Sequence, residues 1–194
     1  MNFYRAVLVA VCCLALASAA IAKEIIQVKF EKPRDAAEAL IKSRLEKSDA
    51  VSSVFTFLDE FFRVEEQLVF TFGGKDGPLF DSEKREVIVP YFFIEEIELR
   101  FKKANYSESG VSVEDAVDDA LMHTLFHEFA HAIIFMYDIP VVGKEEDAAD
   151  ALATVLLSEF FEDGQEVAIS AADLFDLESE DAKVLEEQDF LGRA

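Results

Sequence analysis

The chain contains three histidines, and all three fall within one short stretch: His123, His127 and His131. They are spaced four apart. On an α-helix each step of four turns about 40° and rises about 6 Å, so the three share one side. Two of them belong to His127-Glu128-Phe129-Ala130-His131, an H-E-x-x-H motif. Imidazoles one turn apart can converge on a single zinc ion at about 2.0–2.1 Å each. Glu128 lies three residues before His131, so its carboxylate flanks the same face. There it can take a proton from a metal-bound water, whose pKa the zinc lowers towards about 7. His123 stands about 12 Å along the axis from His131, too far for one ion to take all three. It reads as a residue that lines the site or supports a ligand from behind.

The motif alone is short enough to arise by chance. Its surroundings add weight. The helix expected over about 113–138 is apolar nearly all round, with Val117, Leu121, Leu125, Phe126, Phe129, Ile133 and Ile134 spread over every side. Such a helix is buried. Buried His and Glu need partners, and a metal supplies them.

A third ligand is expected downstream. Ile139-Pro140 stops the motif helix, Gly143 turns the chain, and a new helix runs from about Lys144 to Phe161. Two helices joined by a short loop pack antiparallel. The apolar face of the second is set by Ala149, Ala153, Leu156, Leu157 and Phe160. Glu146 projects within about 40° of the centre of that face, and Glu145 about 60° to the other side. Asp150 follows Glu146 by one turn, giving E-x-x-x-D. Glu146 is the expected third ligand and Glu145 the other candidate. Asp150 is then placed to accept a hydrogen bond from the second ring nitrogen of His127. Two histidines, one glutamate and an open position make a catalytic arrangement rather than a closed structural one. Acidic residues are also favoured at helix N-termini by the helix dipole, so the glutamates have a plain reading too.

The elements that carry these residues can be read in order. Lys23 to Lys32 is a strand ended by Pro33. Arg34 to Lys47 is an amphipathic helix with Ala37, Leu40, Ile41 and Leu45 at helical spacing. Asp49 caps a second helix through Phe62, with Val51, Val54, Phe55, Leu58 and Phe61 on one face. Gln67 to Phe72 and Glu86 to Val89 are strands separated by the turn cluster Gly73 to Pro78. Pro90 opens a helix over Tyr91 to Lys103, Asn105 to Gly110 is a polar loop, and Ser112 with Asp115 caps the motif helix. Glu166 to Gln188 forms one or two acidic helices. The expected fold is α+β: mostly helical, with a small antiparallel sheet.

H-E-F-A-H followed by G-K-E-E-D-A-A-D-A-L-A resembles the gluzincin metallopeptidases. More closely it is similar to a family of exported bacterial metallopeptidases of uncharacterised function, over about residues 55–175. The resemblance implies a zincin-like core, His127, His131 and Glu146 as ligands of one Zn2+ per chain, and Glu128 as catalytic base. Cysteines usual in that family, in the central β-region and after the last helix, have no counterpart here.

Composition bounds the rest. The chain has 194 residues, 52% of them hydrophobic, enough for one domain with a real core. Arg5, an apolar run from Ala6 to Ala17 and Ala20-Ile21-Ala22 read as a secretory signal peptide over residues 1–22. A single domain then spans 23–194. The two cysteines, Cys12 and Cys13, both fall inside the signal, so the mature chain has neither disulfides nor a Cys-ligated zinc. The expected location is periplasmic or secreted, with no stable membrane insertion after cleavage. Forty acidic residues against 18 basic ones give a net charge of −22, which argues against nucleic acid and anionic membranes as partners.

The expected function is a zinc-dependent endopeptidase acting on a peptide or protein substrate. An inactive, zinc-stabilised binding protein of the cell envelope is the alternative, and a metal-free helical domain ranks third. Oxyanion donors are sought among His123, Tyr91, Tyr106, Tyr137, Arg85 and Arg100. Glu86 to Val89 or Gln67 to Phe72 are the expected edge strands for an extended substrate.

Overall fold

Helices dominate the chain and gather around one of their number. The elements are β1 (Ile26–Phe30), α1 (Ala36–Leu45), α2 (Asp49–Phe61), β2 (Leu68–Phe72), β3 (Leu79–Asp81), β4 (Glu86–Val89), α3 (Tyr91–Lys103), α4 (Val113–Met136), α5 (Glu145–Phe160) and α6 (Gly164–Gly192), with a 3-10 turn at Tyr106–Ser109. They come from a computed structural model that describes the backbone of residues 25–192 and the side chains of 25–183. The expected signal peptide, residues 1–22, lies outside the described residues. Among the described residues no helix is long and apolar enough to cross a membrane.

The central element is α4. Residues on all its sides are buried, among them Val117, Leu121, Leu125, Phe126, Phe129 and Ala132. It packs against α2, α3, α5 and α6. This is the environment that its all-round apolar sequence requires. Its start is fixed by Ser112, whose Oγ accepts from the Asp115 amide at 3.1 Å and donates to the Asp115 carboxylate at 2.7 Å. Facing rings extend the core outwards: Phe126 meets Phe57 and Phe161 at 5.6 and 5.7 Å between centroids.

The sheet differs from expectation. Its order is β1-β2-β4-β3, with β1–β2 and β2–β4 parallel and only β3–β4 antiparallel. It is therefore mixed, not antiparallel. The chain passes through α1 and α2 between β1 and β2, and through β3 between β2 and β4, so both pairs meet pointing the same way. All five residues of β2 are buried, as suits a strand with neighbours on both edges. Consequently neither Gln67–Phe72 nor Glu86–Val89 offers a free edge. The free edge near α4 belongs to β3, three residues long and too short to show a period of two.

Local details also shift. Ser48, not Asp49, caps α2; its Oγ accepts from the Val51 amide at 3.2 Å while Asp49 sits in the first turn. In α1 the buried residues are Glu38 and Leu45, and Leu40 is exposed. Arg34 makes this possible, because its backbone amide and guanidinium both hold the Glu38 carboxylate. In α2 the buried ring is Phe57, while Phe61 faces outwards. The C-terminal acidic stretch is one continuous helix, α6. It starts at Gly164, where any Cβ would stand 1.8 Å from the Leu157 carbonyl oxygen, so only glycine allows α6 to fold back this closely on α5.

Candidate metal centre

Helices α4 and α5 run antiparallel, and their facing residues form a ladder. His131 meets Glu145 and Glu146, His127 meets Glu146 and Asp150, and His123 meets Thr154. The four-residue spacing of the histidines is matched by the spacing of their partners.

Two rungs of the ladder build one cluster. The Nε2 atoms of His127 and His131 lie 3.1 Å apart. Oε2 of Glu146 stands 3.3 Å from the first and 3.4 Å from the second. The opposite ring nitrogens are both engaged: Nδ1 of His127 lies 2.7 Å from Oδ1 of Asp150, and Nδ1 of His131 lies 2.7 Å from Oε1 of Glu145. A carboxylate accepts, so each Nδ1 is the donor. This leaves two Nε2 lone pairs and one carboxylate oxygen turned towards each other. Three electron-pair donors at this spacing repel unless a proton or a metal ion sits among them.

The residues fit a metal. A tetrahedral ion with bonds of about 2.0–2.1 Å needs ligand atoms about 3.3–3.4 Å apart, which matches the triangle observed. His127, His131 and Glu146 are the one such group among the described residues. Glu145 is not the third corner. Its Oε1 faces Nδ1 of His131, as Oδ1 of Asp150 faces Nδ1 of His127.

One face of the triangle opens into a cleft of about 660 Å³. Its far wall is β3 and its flanks: Pro78, Leu79, Phe80 and Ser82. Glu128 lines the cleft yet is only 6% exposed. Burial pushes its carboxyl above the usual range. His127 and His131 pull it down, Glu146 pushes it up, and the Phe80 backbone amide on β3 pulls it down. For His131, burial favours the neutral ring, but Glu145, Glu146 and Glu128 together outweigh it and raise the pKa.

His123 stands apart. It is buried between Thr154, 3.5 Å from its Nε2, and the Phe175 ring, 5.6 Å between centroids. Its ring is 6.4 Å from that of His127, and it does not line the cleft. Burial lowers its pKa to about 4 against the pull of Asp150, with His127 lowering it further, so the ring is neutral. The expectation that it lines the site does not hold, because α5 and α6 cover it.

The other expected oxyanion donors are committed elsewhere. Tyr91 donates to the Glu31 carbonyl, Tyr106 to Asp173 and Tyr137 to the Arg63 carbonyl. Arg85 pairs with Glu66, and Arg100 with Glu178 and Asp181. What the sequence reading missed is β3, whose only signal was the short apolar pair Leu79-Phe80 after Gly77-Pro78.

Comparison with known families gives one finding. The model of the DUF4344 family, described as "Putative metallopeptidase", matches residues 30–193. Comparison with curated proteins and with solved structures gave no match.

Proposed function

The chain belongs to the DUF4344 family, and we propose that it is a zinc-dependent endopeptidase with a zincin-like site. The observation that carries this is the triangle of His127 Nε2, His131 Nε2 and Glu146 Oε2, with both Nδ1 atoms held by carboxylates. The signal-like residues 1–22 support a periplasmic or secreted location.

His127, His131 and Glu146 would hold the ion. When bound, zinc supplies positive charge that polarises the scissile carbonyl and brings the pKa of water towards about 7. Glu128 supplies the proton transfer. Its carboxylate takes the proton of the attacking water and returns it to the departing amine. Burial suits it to both roles, since a raised pKa brings the carboxyl nearer to working pH. Asp150 and Glu145 keep the two imidazoles turned inwards. The free edge of β3 forms the opposite wall, where an extended peptide can pair with the backbone of Leu79–Asp81.

The test is Glu128→Gln. Cleavage of an unfolded-protein or peptide library should fall by about 10²–10⁴-fold, with one zinc per chain retained by elemental analysis. Undiminished cleavage rules out the assignment.

One observation favours a second reading, a zinc-stabilised binding protein without turnover. Among the described residues, no Tyr or Arg side chain lines the cleft, and its only histidines are the two in the triangle. That reading predicts stoichiometric zinc and no hydrolysis of any library member.

A further inference from the structure

The cleft does not end at Phe135. That side chain, 52% exposed and 5.9 Å from the Phe80 ring, also bounds a second cavity of about 240 Å³. The second cavity is lined by Glu65, Glu66, Arg85, Met136 and Tyr137. The two spaces share Phe135 as a wall; Ser82 lines the first, and Arg85, at the other end of the turn between β3 and β4, lines the second. A peptide extended along the β3 edge advances about 3.3 Å per residue and alternates its side chains between two faces, so side chains one or two residues apart can enter the two spaces.

The walls of the second cavity are fixed. The Tyr137 hydroxyl donates to the Arg63 carbonyl at 2.8 Å, which ties the end of α4 to the segment leading into β2. The Arg85 guanidinium lies 2.5 Å from the Glu66 carboxylate, so these two charges answer each other. Among the described residues Glu65 has no ion-pair partner, and its charge is left over. Among the described residues no Lys or Arg lines the main cleft.

We propose that the second cavity is a substrate subsite for a lysine or arginine side chain, next to an apolar side chain packed against Phe80 and Phe135. The stem of the basic residue lies along Met136 and Tyr137, and its cationic head meets Glu65. The substrate class is therefore basic peptide segments with an adjacent apolar residue. This deepens the peptidase reading and rests on the cleft being where peptide binds.

The test separates the two ideas by measuring binding apart from turnover. Zinc-loaded Glu128→Gln chain is titrated with fluorescent peptides in which a single Lys, Gln or Glu is moved position by position past an apolar residue. At one position Lys should bind about tenfold tighter than Glu, because the exchange replaces one screened attraction by a repulsion of similar size. In the background of Glu65→Lys that ratio should vanish or invert. In the background of Glu114→Lys it should persist, because Glu114 lies 22 residues up α4 from Met136, about 33 Å away. A difference below twofold at every position overturns the proposal, as does a preference that survives Glu65→Lys. Cleavage of the same peptides by the native chain is followed in parallel. Preferential binding without cleavage overturns the peptidase reading and keeps the subsite; cleavage without a Lys preference does the reverse.

Discussion

Asp150→Ala should weaken zinc binding far more than it weakens the fold. The Asp150 carboxylate accepts from His127 Nδ1 at 2.7 Å, and its side chain is 47% exposed. A half-exposed ion pair contributes only about 0–1 kcal/mol to folding. Its larger effect is orientation. It fixes the plane of the imidazole, and with it the 3.3 Å separation of Nε2 from Glu146. Losing such a partner costs about 10–100-fold in metal affinity, or about 1.4–2.7 kcal/mol. Exposure of Asp150 puts the expected loss at the lower end, about tenfold. Asp150→Asn keeps an acceptor oxygen and should lose less. Zinc affinity is measured by competition with a chromophoric chelator, and stability by melting the metal-free chain. The reasoning fails if Asp150→Ala keeps its zinc affinity within twofold while the metal-free chain melts early. That result would make Asp150 a structural residue of α5, not a support for His127.

Chelation should also be visible in the melting curve. Zinc present at 100 to 1,000 times its Kd adds about 2.7–4.1 kcal/mol. For a chain of this size that is a Tm rise of about 5–16 °C, and identical curves in zinc and in chelator would count against a metal centre. His123 should make the metal-free fold acid-sensitive. Its folded pKa is about 4 against about 6.5 when unfolded, so below pH 6.5 the unfolded chain takes up the proton first and stability falls. The loss from this one group is about 2 kcal/mol between pH 7.5 and 5. Urea titrations in chelator should show a shallower pH dependence for His123→Gln; parallel curves would show that the buried ring does not titrate this way.

Much of the scaffold was legible before the structure. The bounds of α3 and β4, the Ser112–Asp115 cap and the all-round burial of α4 follow from signals that act within a turn or two of chain. A proline fixes one φ, a hydroxyl caps one amide, and an apolar circumference has nowhere to go but inside. The convergence of His127 and His131 is of the same kind, because i and i+4 share a helix face whatever surrounds them. The phase of a helix departs from its sequence pattern where a local rule has an exception. Leu40 is exposed because Arg34 lets Glu38 be buried in its stead.

Sequence by itself determined that two imidazoles and a carboxylate share one buried helix, and that an acidic helix returns beside it. Only the tertiary structure decided where each acid lies. Glu145 and Glu146 have the same chemistry and adjacent positions, and the rotation of α5 against α4 turns one to the triangle and the other to His131 Nδ1. The same holds for His123, which differs from its two neighbours only in facing Thr154 and Phe175. It holds for β3, which becomes the wall of the cleft only because β4 occupies the place beside β2. Local propensity depends on residues a few positions apart and is written in their types. The phase and separation of packed elements depend on contacts between residues distant in the chain, and many sequences of the same local pattern would satisfy them differently.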